Sequence, residues 1–125
     1  MKHQARRGGG KPAPVDGIQF DSDKEIRVYL DQLRPLARTG QVTQLQAHPK
    51  FTFIVNGVIV GTYKPDFTFV DHAGVFGDAG LLRCWDVKGW KRSKKSGKLL
   101  PRTEVGFGRT KKLMRALFSI EVECV

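Results

Sequence analysis

The chain of 125 residues reads as an α/β (α+β) domain, two helices packed around one mixed β-sheet. Three observations predict this. Ile26, Tyr29, Leu30 and Leu33 follow the i, i+3, i+4, i+7 spacing of an amphipathic helix. A second helical stretch starts at about Arg109 and carries Leu113, Met114, Leu117 and Phe118 on one side. Between and after these lie strand-like runs at 50–55, 58–70, 81–88 and 119–125. The expected order is helix, three strands with at least one hairpin, helix, strand, with no internal repeat.

Each element has a local cause. Residues 1–16 have no hydrophobic period and mix Lys2, Arg6, Arg7 and Lys11 with glycine and proline. They are expected to be a flexible basic arm that contacts phosphates, ahead of a single domain at 17–125. Ser22 and Glu25 fit the capping box of the first helix, and Gly40 would stop it. Pro35 lacks an N–H, so the helix is expected to end or kink near Leu33 or Arg34. Phe51 and Phe53 alternate in the first strand, and Asn56–Gly57 signals a hairpin. The long strand 58–70 should bend near Gly61 or Pro65. After a loop and the strand 81–88 comes the basic stretch 89–104, expected to be a mobile loop. Gly106-Phe107-Gly108 reads as a hinge, because it lacks the rest of a phosphate loop. In the final strand Ile120, Val122 and Cys124 alternate with Glu121 and Glu123.

Charge is the strongest global signal. Twenty-two Lys and Arg oppose twelve Asp and Glu, a net +10. This balance favours a polyanionic partner, nucleic acid ahead of an acidic membrane. No run has transmembrane length, and no apolar segment follows the basic N-terminus as in a signal peptide. Cys84 and Cys124 form no zinc or redox pattern and read as reduced, buried thiols, which suits a cytoplasmic location.

Two strands contain charges that a strand does not need. Asp66 follows Pro65 inside 58–70, and Asp86 and Lys88 interrupt 81–88. Side chains alternate along a strand, so Asp86 and Lys88 share a face with Leu82 and Cys84, opposite Trp85 and Val87. Asp66 shares its face with Thr68 and Val70. If the strands are neighbours, Asp66, Asp86 and Lys88 meet at one end of the sheet. Two half-buried carboxylates repel each other, and a divalent cation resolves the conflict. Oxygen ligands favour Mg²⁺ or Mn²⁺, and a nearby lysine can offset charge on a phosphoryl transition state.

Pro65–Asp66 followed by Asp86-Val87-Lys88 resembles the signature of the PD-(D/E)xK nuclease superfamily. The ordered blocks DGIQFDSDKE from Asp16, HPKF from His48, YKPDFTFV from Tyr63, WDVKGW from Trp85 and the closing KKLMRALFSIEVECV resemble a family of small, mostly phage-encoded proteins placed in that superfamily. The resemblance implies a restriction-endonuclease-like core and a metal-dependent DNA endonuclease acting in phage recombination, replication or packaging. It implies Asp66 and Asp86 as metal ligands and Lys88 as the catalytic lysine. Glu25 would be an additional metal contact, and Val87 would lend its backbone carbonyl. Lys111 and Lys112 would lie near DNA, and resolvase-like relatives suggest a homodimer acting on branched DNA. The basic stretch, with Lys91, Arg92, Lys94, Lys95, Lys98 and Arg102, would track the phosphate backbone together with Arg6 and Arg7. The chain departs from the family pattern at Pro35, in the long basic stretch, and at His48, where glutamine is usual.

Other readings compete. Glu25 can serve the helix cap alone, Asp66 can be a turn residue, and Asp86 with Lys88 can be a solvated pair on an edge strand. His3, His48 and His72 have no metal-ligand spacing and read as surface or structural. A non-catalytic nucleic-acid-binding or host-interfering protein on the same fold, or an adaptor for an acidic protein, are the alternatives to an enzyme.

Overall fold

The computed structural model describes residues 11–101 and 105–125. The fold is mixed α+β. The first helix opens as α1 (Asp23–Val28), passes through a π-helical turn (Tyr29–Leu33), and ends as α2 (Arg34–Arg38). Among the described residues the strands are β1 (Val42–Ala47), β2 (Phe51–Val55), β3 (Val58–Tyr63), β4 (Phe67–Asp71), β5 (Leu81–Asp86), β6 (Trp90–Arg92), β7 (Leu99–Pro101) and β8 (Val122–Cys124). Helix α3 (Phe107–Phe118) connects β7 to β8.

The central sheet has the order β1-β4-β5-β8, antiparallel except for the parallel β5–β8 pair. Its elements run helix, three strands, helix, strand, but one expected strand is replaced by another segment and a second is divided. The 50–55 segment is not in this sheet. It forms a separate hairpin, β2–β3, across Asn56 and Gly57, whose φ values of 50° and 78° suit the two-residue turn expected there. The true first strand is β1, which the sequence reading passed over. Its pattern is blurred by an irregularity between Thr43 and Gln46, where Gln44 takes a φ of 54°.

The expected long strand 58–70 is two strands. Pro65, buried and without an N–H, ends β3, and the chain leaves the hairpin to enter the central sheet as β4. The stretch 89–104 was expected to be a loop, yet it contains the β6–β7 hairpin. Pro35 neither ends nor sharply breaks the first helix. The preceding turn widens, so that the Arg34 N–H donates to the Tyr29 carbonyl, and Pro35 falls in the first turn of α2, where its missing N–H costs least.

The core lies on both faces of the sheet. On one face Phe67, Phe69 and Trp85 pack with Phe20, Val28, Tyr29, Leu33 and Val42. On the other, Cys84 and Val122 meet Phe53 and Tyr63 of the hairpin and Phe107 and Met114 of α3. This division agrees with the expected alternation of Cys84 against Trp85. Contacts to the domain begin before residue 17. Pro12 is buried, its carbonyl accepts from Gln19 Nε2 at 2.7 Å, and Asp16 accepts from the Tyr29 hydroxyl at 2.8 Å. Among the described residues, no helix is long and apolar enough to cross a membrane.

Candidate metal centre

Register brings the charged positions to one end of the sheet. Ala47 pairs with Phe67, and Phe67 with Trp85, so the next residue outward on each strand is His48, Asp66 or Asp86. Backbone bonds fix all three ends. The His48 N–H donates to the Asp66 carbonyl at 3.0 Å, and the Asp66 N–H to the Trp85 carbonyl at 3.1 Å. On the far side the Val125 N–H donates to the Asp86 carbonyl at 3.0 Å, and the Lys88 N–H to the Val125 carbonyl at 3.1 Å.

Helix α1 supplies the opposing wall. The Glu25 N–H donates to Ser22 Oγ at 3.2 Å, which caps the helix start. The Glu25 carboxylate does more than the capping reading required of it. Its Oε2 accepts from the Ser22 hydroxyl at 3.3 Å, and Oε1 lies 2.8 Å from His48 Nε2. The same imidazole nitrogen is 3.8 Å from both Asp21 Oδ2 and Asp66 Oδ1. Asp21, Glu25, His48 and Asp66 can each present one ligand atom within 4.8 Å of all the others. His48 itself takes a left-handed backbone, φ 54°, just past the end of β1.

Asp66 is the electrostatic centre of this group. Burial raises its pKa first, and the charge of Glu25 raises it further. The Val87 N–H, 2.6 Å from Asp66 Oδ2, pulls the other way, and Asp86 adds a smaller upward push. Together they hold the Asp66 carboxyl at about 8. The buried Glu25 and largely buried Asp66 beside an imidazole, with the exposed Asp21 within reach, are a donor set that a divalent cation would satisfy, so the residues present fit a metal.

Asp86 and Lys88 stand beside this set with their own contacts. Asp86 Oδ2 accepts from the buried Tyr63 hydroxyl at 2.5 Å, and Oδ1 lies 3.1 Å from Lys88 Nζ. Burial, with the Asp86 bond second, drives the Tyr63 phenol far above its usual range, so it remains a donor. The Lys88 ammonium also lies 4.3 Å from the centroid of the Phe107 ring. Lys24 Nζ donates to the Lys88 carbonyl, tying α1 to the end of β5.

Sequence reasoning named Glu25, Asp66, Asp86 and Lys88, and all four lie at this end of the sheet. It missed Asp21, His48 and Tyr63. His48 was set aside for lack of ligand spacing, because its partners come from α1 and β4 rather than from nearby sequence. Reading β1 as a strand would have placed it opposite Asp66. Val87 is seen here as a donor to Asp66. Of the basic positions, Arg92, Lys94, Lys95 and Lys98 are exposed on or beside the β6–β7 hairpin, with Lys91 in β6. Arg92, Ser93, Lys94, Lys95 and Leu100 line a shallow concavity there. Lys111 and Lys112 are exposed on α3. Arg6, Arg7 and Arg102 lie outside the described residues. No protein-family model, curated protein or solved structure matches this chain.

Proposed function

We propose that the protein is a metal-dependent DNA endonuclease of the PD-(D/E)xK type, with a restriction-endonuclease-like core and Mg²⁺ or Mn²⁺ as its ion. One observation carries this reading: Asp66 and Glu25 converge with Asp21 and His48 at the sheet end where Asp86 and Lys88 also stand. Asp66, Glu25, His48 and Asp21 would hold the cation, with Asp86 and the Val87 carbonyl adjoining. Imidazole among carboxylates favours Mn²⁺ over Mg²⁺ as the better-held ion. When bound, the ion polarises a phosphoryl oxygen and acidifies a water.

The chain's own residues set the rest. The Val87 N–H and the carboxylates around it fix the orientation of Asp66. Tyr63 holds Asp86 in one rotamer, and Asp86 in turn holds the Lys88 ammonium. That ammonium offers positive charge to a phosphorane-like transition state in a site shielded from water. The net charge of +10, with the basic β6–β7 hairpin and α3 lysines, supplies the counter-surface for a phosphate backbone. Phage recombination, replication or packaging, in a bacterial cytoplasm, is the setting that fits such an enzyme.

The test is a cleavage panel of linear, single-stranded and four-way DNA with Mg²⁺ or Mn²⁺, alongside calorimetric titration of Mn²⁺. The wild type should cut at least one substrate. Asp66→Ala should lose Mn²⁺ binding, and Asp86→Ala and Lys88→Ala should lose cutting by at least about a hundredfold while DNA binding survives. Equal cutting by the mutants would overturn the site. Tight binding without cutting by the wild type would favour a non-catalytic nucleic-acid-binding protein instead.

A further inference from the structure

The β2–β3 hairpin leaves a second surface unexplained. Its tip exposes Ile54, Val55, Val58, Ile59 and Val60, at 52, 40, 60, 65 and 40 %. Residues 51–63 contain no Lys, Arg, Asp, Glu or His, in a chain that is 27 % charged. The register explains why apolar side chains stand in water. The register shifts after Phe53, and beyond the shift Ile54 pairs with Ile59 and Val55 with Val58, all four outside the buried cluster that Phe53 and Tyr63 form with α3. Ile54 alternates with Phe53 and so stands on the opposite face with Thr52, and Val60 lies at the shift itself. Phe118, 38 % exposed at the end of α3, touches Phe51 and Phe53 and extends the apolar surface.

We infer that this hairpin is the contact through which two copies of the chain associate, β3 against its own counterpart about a two-fold axis. The exposed side chains present on the order of 500 Å² of apolar surface, near the top of what monomers leave in water. That is more than half of the roughly 800 Å² per partner of a standard interface, before Phe118 is added. Among the described residues β3 pairs only with β2, so its outer edge still offers N–H and carbonyl groups. A strand paired antiparallel with itself is self-complementary, which is what a two-fold contact requires. Charge points the same way. Two chains of +10 repel over most of their surfaces, and the uncharged hairpin is where they can approach at least cost. Nucleic acid is a poor occupant for the same reason, since 51–63 has no cation to meet a phosphate.

This inference is independent of the nuclease reading, because its test reads mass rather than cleavage. Sedimentation equilibrium of the full chain, from low to several hundred micromolar, should give a dimer of the 14.0 kDa chain. Raising salt from one-tenth to half molar should tighten the dimer by screening the like charges. Ile59→Asp, and separately Val58→Asp, should weaken association at least about tenfold with the circular dichroism spectrum unchanged. Both positions are exposed, so failure of one variant to fold leaves the other as the test. A wild-type monomer at every concentration and salt overturns the inference and leaves the hairpin for a different protein. A dimer that both variants preserve overturns the location.

Discussion

Asp66 shows how one side chain can cost stability in order to keep a site. Its ordinary pKa is about 3.9, and the fold holds it at about 8. Between those values the folded chain keeps a proton that the unfolded chain releases. Stability without metal must therefore fall as pH rises from about 4 to about 8, and level off above that. The loss should be on the order of a few kcal/mol. Urea unfolding in chelator across this range should show the slope, and Asp66→Asn should flatten it. Added Mn²⁺ should restore more stability at the alkaline end, where the carboxylate is ready to bind. A pH-independent midpoint would mean that Asp66 is ionised throughout.

At the scale of elements, α3 is held by two buried side chains, Phe107 and Met114. Met114 is fully buried among Cys84, Phe107 and Val122, whereas Leu117 and Phe118 are more than a third exposed. Met114→Ala should cost about 2–5 kcal/mol in urea unfolding, and Leu117→Ala much less. Both residues fit the helical period equally well, so sequence could place α3 but not rank its contacts. The same limit explains the strands. Asn56–Gly57 and the Ser22–Glu25 pair were legible because turn and cap chemistry is local. Strand β1 was not, because a bulge breaks its alternation, and the β3–β4 division was not, because it depends on which sheet each half joins. His48 stayed hidden for that reason: a ligand contributed by an unrecognised strand has no local signature. Asp66, Asp86 and Lys88 were legible because charge is costly in a strand and stands out there.

Across the whole molecule, the proposed DNA binding and the proposed self-association should respond to salt in opposite directions. The proposed nucleic-acid binding would rest on released counterions and should weaken steeply as salt rises. Replacing Lys94, Lys95 and Lys98 together with alanine should lower DNA affinity and make the log–log salt slope about two to three units shallower. Fluorescence anisotropy against salt would measure both, and an unchanged slope would remove the β6–β7 hairpin from the interface. Self-association through the uncharged β2–β3 hairpin should move the other way with salt.

The parallel pairing of β8 with β5 has a kinetic consequence. The backbone of Asp86 and Lys88 is fixed by hydrogen bonds to Val125, which arrives only after the basic hairpin and all of α3. Parallel neighbours need such a crossover, and contacts this distant in sequence form late. A nascent chain therefore carries Glu25, Asp66, Asp86 and Lys88 long before it has the frame that aligns them. The chemistry proposed for this end of the sheet should begin only when β8 has docked.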